Sequence, residues 1–109
     1  DFGILLNRAV ELAGGNPRHV LVVTIPDWGV MPFARGRDCQ KIGQEIDLFN
    51  AVLNEQAQLT GVPVVDITPI SRLAEIRPDF IALDGLHPSA VQYAEWVNVM
   101  LPEALKLFE

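Results

Sequence analysis

Cysteine occurs once, at Cys39, so an intrachain disulfide is excluded. With only two histidines, His19 and His87, a zinc-type cluster is excluded as well. A lone free thiol sits most easily in a reducing compartment, a slight preference for the cytoplasm that leaves the location open. Positive charge is scarce, with 8 Lys and Arg against 14 Asp and Glu. The short basic spots "NPRH" and "ARGR" make no face for nucleic acid, and no nucleic-acid partner is expected. No apolar run approaches the ~18 residues of a membrane span, so none is expected to cross a bilayer. Serine is nearly absent too, occurring only at Ser71 and Ser89. Any hydroxyl chemistry of the chain must therefore be asked of very few residues.

Half of the 109 residues are apolar and 20% are charged, a balance that folds rather than stays disordered. The length allows one small domain. "FGILLNRAVELAGG" carries Ile4, Leu5, Ala9, Leu12 and Ala13 at helical spacing, and Gly14-Gly15 end the pattern. "HVLVVTIP" is a continuous apolar, β-branched run, the pattern of a strand covered on both faces. "PDWGVMPFARGRD" reads as a long loop at the strand's end, with Asp38 placed to cap the next helix. Ile42, Ile46, Phe49, Leu53 and Ala57 then mark a helix ending at Gly61. "VPVVDITP" is a second buried strand, and "ISRLAEIRPDFIALDG" is loop with one helical turn. The Ser89–Gln92 spacing forms an S-x-x-Q capping box for the last helix, which bears Val91, Ala94, Trp96, Val97, Met100 and Leu101. The order helix, strand, helix, strand, helix predicts an α/β fold with a parallel sheet. Two strands do not make such a sheet alone. The chain is expected to need an N-terminal half of the domain, or a swapped copy of itself, to cover its apolar faces.

The residues with chemical content lie in "LDGLHPSAVQ". Asp84 and His87 stand three apart, with Gly85 between them permitting a tight turn. Pro88 holds His87 extended and outside the following helix. The imidazole then sits on a loop at the edge where open α/β sheets bind ligands. A carboxylate on the same loop can bond one ring nitrogen and leave the other free as a base. Such a pair activates a hydroxyl nucleophile. By the spacing alone, a histidine at a helix start is more often a surface residue or a satisfied structural one than a catalytic base.

"DGLHPSAVQYAEWVNVMLPEAL" resembles the last block of the SGNH, or GDSL-type, esterase and lipase family. "VLVVTIPDWGVMPFA" is similar to that family's fourth strand and the loop beside its active site, and "VPVVDITPIS" to its last strand. The resemblance covers the chain in the family's order and implies the C-terminal portion of a three-layer α/β/α sandwich with a flavodoxin-like parallel sheet. It further implies hydrolysis of a small-molecule ester through an acyl-serine, without metal or cofactor. Asp84 is then the triad acid and His87 the general base. The family's nucleophilic serine, in a Gly-Asp-Ser motif, and its oxyanion-hole Gly and Asn have no counterpart in these residues. This chain alone is expected to be inactive. The alternative is a truncated or degenerate family member that only binds or assembles.

The remaining candidates have plainer readings. Ser89 is a helix cap, Ser71 a cap in the "TPIS" turn, and Cys39 a small, partly buried helix residue. Asp66 closes a strand, His19 is exposed at the opposite sheet edge, and Trp96 packs. Trp28 and Phe33 are candidates for the wall of a substrate pocket, or else for the loop's own small core.

Overall fold

The computed structural model describes residues 1–109. Helix α1 (Phe2–Leu12) starts where the Asp1 carboxylate accepts the Ile4 N–H at 3.0 Å. A single 3₁₀ turn over Pro17–His19 leads into β1 (Val22–Val23). Two further 3₁₀ turns, Trp28–Val30 and Pro32–Ala34, fill the long loop. Helix α2 (Cys39–Thr60) is capped by Asp38, which accepts the Lys41 N–H at 3.0 Å, and stops at Gly61 with φ +75°. Strand β2 (Val64–Val65), the short helix α3 (Thr68–Arg72), and 3₁₀ turns at Leu73–Glu75 and Pro78–Phe80 follow. Helix α4 (Ala90–Lys106) closes the chain, with the Ser89 Oγ accepting the Gln92 N–H at 3.2 Å.

Strands β1 and β2 pair in parallel, Val22 with Val64 and Val23 with Val65. Helix α2 is the crossover, so β1-α2-β2 is a βαβ unit within a mixed helix and strand fold. Buried Leu6, Ala57 and Val62 gather Phe2, Val10, Val20, Val22 and Val64, which packs α1 and α2 onto the strand pair. A second cluster, Met31, Ala74 and Phe80, fills the space under the loops.

Three sequence expectations are corrected in detail. The strands are shorter than "HVLVVTIP" and "VPVVDITP" suggest, because a strand needs a ladder and β1 has a partner on one edge only. The N–H groups of Val22 and Thr24 reach Pro63 and Val65 at 3.0 Å each. Val23, between them, turns its own polar groups to the free edge. The "TPIS" turn is the start of α3 rather than a simple turn. The capping box is also only half formed. Gln92 does not reach back to Ser89 but is buried, donating to the Phe80 carbonyl at 3.0 Å and accepting from the Trp96 indole at 3.1 Å.

Coverage is incomplete. Only 18 of 109 residues are buried. The surface is 7032 Å², where a compact monomer of this mass exposes about 6,000 Å². The radius of gyration is 15.2 Å, with extents of 44 × 26 × 18 Å, against about 13 Å for a compact chain of this length. The excess is apolar: Ile4, Leu5 and Leu12 on α1, Leu48, Phe49 and Val52 on α2, and Val97, Leu101 and Leu105 on α4 all face solvent. No helix is long and apolar enough to cross a membrane.

Candidate active site

The C-terminal ends of both strands run into a buried polar network. The Thr24 hydroxyl donates to Asp66 at 2.9 Å and accepts the Ile67 N–H at 2.8 Å. Asn50 on α2 accepts the Ile25 N–H at 2.9 Å and donates to the Thr68 hydroxyl at 2.9 Å, and that hydroxyl bonds the Ile25 carbonyl at 2.6 Å. Asp66 thus has the structural job expected of it. No buried side-chain polar atom lacks a partner, so the network is a rigid floor. Just beyond it, the buried carboxylate of Asp27 accepts the Gly29 N–H at 2.9 Å and pairs with the Arg72 guanidinium at 2.9 Å. Arg72 also reaches Asp47 at 2.8 Å. The two carboxylates raise the guanidinium's pKa, with the Asp27 hydrogen bond the larger cause and partial burial opposing it.

Residues 80–89 form the loop that carries Asp84 and His87. Ile81 and Pro88 bridge antiparallel, Ala82 N–H donates to the His87 carbonyl at 2.9 Å, and Ser89 N–H donates to the Phe80 carbonyl at 2.9 Å. At the tip Gly85 adopts φ +72°, which favours glycine. An added Cβ there would also lie 3.4 Å from Pro32. One oxygen of Asp84 accepts the N–H groups of Leu86 and His87 at 2.9 Å each. The other oxygen bonds the His87 Nδ1. One carboxylate therefore both folds the loop and fixes the ring. With Nδ1 donating to Asp84, Nε2 carries the lone pair. Nε2 has no partner within the chain, and the side chains of His87 and Asp84 are 67% and 51% exposed.

These bonds pull the Asp84 carboxyl from its usual 3.8 to about 2, the His87 N–H being the largest cause, followed by its ring and the Leu86 N–H. Because the folded value lies below the unfolded one, the clasp contributes stability in full above about pH 4 and loses it as pH falls through about 2. A ¹³C titration of the Asp84 carboxyl is expected to show its midpoint near 2. A midpoint at the ordinary carboxylate value would mean that the clasp is not held in solution.

The loop after β1 is tied to this tip. The Phe33 N–H donates to the Gly85 carbonyl at 2.9 Å. Trp28 lines a cavity of about 30 Å³ together with Pro26, Met31, Ser71, Leu86 and Pro88. That volume holds about one water, far below the several hundred Å³ of a substrate pocket. Trp28 thus lies beneath the Asp84–His87 loop, while Phe33 is half exposed beside Gly85, its ring 6.4 Å from that of Trp28.

Neither serine is free. Ser71 Oγ is buried, donating to the Thr68 carbonyl at 2.6 Å and accepting the Asp27 N–H at 2.9 Å. Ser89 Oγ donates to the Asp79 carbonyl at 2.5 Å while capping α4. Cys39 is exposed at the start of α2, its thiol donating to the Ala34 carbonyl at 3.4 Å, and is not the partly buried residue expected. His19 is exposed next to Asn16, away from the loop. The buried Asp27–Arg72 pair was not visible from the sequence: its members are 45 residues apart and share no motif.

No protein-family model, curated protein or solved structure matches this chain.

Proposed function

We propose that this chain supplies the acid–base half of a serine ester hydrolase of the SGNH (GDSL) kind. The observation that carries the reading is the Asp84 carboxylate bonded to His87 Nδ1, with Nε2 unpartnered and open to solvent. In that role Nε2 takes the proton of a serine hydroxyl as its oxygen attacks the ester carbonyl. Asp84 stabilises the imidazolium that forms. Collapse of the tetrahedral intermediate breaks the bond to the alcohol oxygen, which leaves with the proton from Nε2. Water then repeats the sequence on the acyl-serine, releasing the acid and restoring the hydroxyl.

Ser71 and Ser89 are committed to structural bonds, so the nucleophile and the oxyanion donors come from elsewhere. The free edge of β1 and the uncovered faces of α1, α2 and α4 are where a complementary segment would add strands and complete an α/β/α sandwich. We assign that segment to an N-terminal half of the same domain. A swapped second copy would bring only the same two engaged serines.

The test pairs the chain with the polypeptide encoded upstream of Asp1. A Gly-Asp-Ser motif is expected there, and the combination should take a fluorophosphonate label on that serine and release chromophore from a short acyl ester. The chain alone should do neither. Turnover by the chain alone that disappears on Ser71→Ala would overturn the assignment. Co-folding without labelling or turnover would favour a binding and assembly role.

A further inference from the structure

Arg37 is set apart from the arginines that do structural work. Arg8, Arg72 and Arg77 each hold a carboxylate. Arg18, Arg35 and Arg37 hold none, in a chain of net charge −6, and of these three it is Arg37 that has aromatic partners. Its guanidinium lies instead across two aromatic rings, 5.0 Å from the centre of Phe33 and 5.7 Å from that of Trp28. The local chain is shaped for this. Gly36 takes φ +85° and the Arg37 N–H closes a turn on the Ala34 carbonyl at 3.0 Å, folding the side chain back over the rings.

A guanidinium drawn to aromatic rings by its charge makes no hydrogen bond to them and keeps its N–H donors available. The fork of these donors matches the geometry of a carboxylate or phosphate, which it binds in a bidentate manner. The rings also restrict the side chain, so less freedom is lost when an anion docks. The same aromatic loop is bonded to the tip that carries the base: Phe33 N–H donates to Gly85, and Trp28 lies under Leu86 and Pro88. The cation is thereby carried on the loop that is bonded to the tip bearing His87.

We propose that Arg37, held by Trp28 and Phe33, is the anion-binding element of the His87 site, and that it selects esters carrying a carboxylate or phosphate group. The inference rests on the ester-hydrolase reading for the word ester, but the binding half stands on its own and is tested without a nucleophile.

The 109-residue chain is titrated with monomethyl succinate, dimethyl succinate and methyl phosphate. The Arg37 Nε–H, the Trp28 indole N–H and the His87 ring protons are followed by NMR. The Trp96 indole, engaged with Gln92, serves as the internal control. The two anions are expected to shift the Arg37 and Trp28 signals saturably, more weakly at high salt, and the neutral diester is not. The tighter of the two anions assigns the group as carboxylate or phosphate. Arg37→Ala should weaken anion binding by about 10- to 100-fold. Arg37→Lys should fall between, since it keeps the charge and loses the fork. Equal shifts by the diester and the monoester, or binding unchanged in Arg37→Ala, overturn the proposal. Monomethyl glutarate and adipate then vary the spacing, and the length that also moves the His87 signals gives the reach from the anion to the base.

The two readings fail separately. Hydrolysis that depends on His87 but shows no preference for anionic esters removes Arg37 and keeps the hydrolase. Anion binding at Arg37 without His87-dependent hydrolysis does the reverse.

Discussion

His87→Ala, made in the chain combined with the serine-bearing complement proposed for it, is expected to lower kcat/KM for a short acyl ester by about 10⁴-fold or more. The imidazole would be the only group on the loop able to take the serine proton, and its loss should leave the oxyanion donors and binding alone to act. The fold should barely change, since the side chain is 67% exposed and its one bond is to Asp84. Asp84→Asn makes the sharper comparison. An asparagine oxygen can still accept the Leu86 and His87 N–H groups that shape the turn. Its amide nitrogen then faces Nδ1 as a donor, which drives the ring proton to Nε2 and removes the base. A loss of similar size, about 10⁴-fold, is expected with the loop intact. Asp84→Ala removes the turn as well and should add mobility of the loop to the kinetic loss. Equal activity of His87→Ala and the unaltered protein would return "DGLHP" to being a helix start.

The Asp84–His87 pair was legible because everything that makes it is local. The spacing, the glycine needed at φ +72° and the proline after the histidine all lie within five residues, and each restricts the backbone by itself. The helices were legible for the same reason: α2 runs from its Asp38 cap to its Gly61 stop as the pattern says. What depends on distant partners was not legible. Continuous apolar runs predicted long strands, but a ladder forms only where a second strand stands alongside, and β1 has one neighbour. Gln92 has the spacing of a capping residue, yet the Phe80 carbonyl from twelve residues earlier and the Trp96 indole offer it a buried pair of bonds that the helix start does not. Arg37 read as part of a short basic spot, because nothing in "ARGR" reveals that Gly36 folds its side chain onto Trp28 and Phe33.

A large stability effect is also expected at Arg72, outside both apolar clusters. Arg72→Met keeps the stem and removes the charge. It leaves the Asp27 carboxylate, 6% exposed, with the Gly29 N–H as its remaining hydrogen-bond donor. Breaking a buried pair from one side costs about 3–5 kcal/mol. Arg72 is itself 36% exposed and shared with Asp47, so the expected loss is at the lower end, about 3 kcal/mol, still a large part of a typical 5–15 kcal/mol. The Asp47 contact is surface-exposed, and Asp47→Ala should cost less than about 1 kcal/mol. The double variant Asp27→Leu with Arg72→Met removes both charges together and is expected to recover much of the loss, because no unpaired carboxylate remains. Urea unfolding of the unaltered chain, Asp27→Leu, Arg72→Met and the double variant gives the coupling directly. The consequence reaches the candidate site, since Asp27 anchors the turn bearing Trp28, and the Phe33 N–H farther along the same loop holds Gly85. In Arg72→Met the hydrogen exchange of the Phe33 amide should therefore accelerate under conditions where the Ala57 amide in α2 stays protected. Additive effects in the double variant, or a Phe33 amide no faster than in the unaltered chain, would show that the ion pair stabilises its own neighbourhood without steadying the loop beside His87.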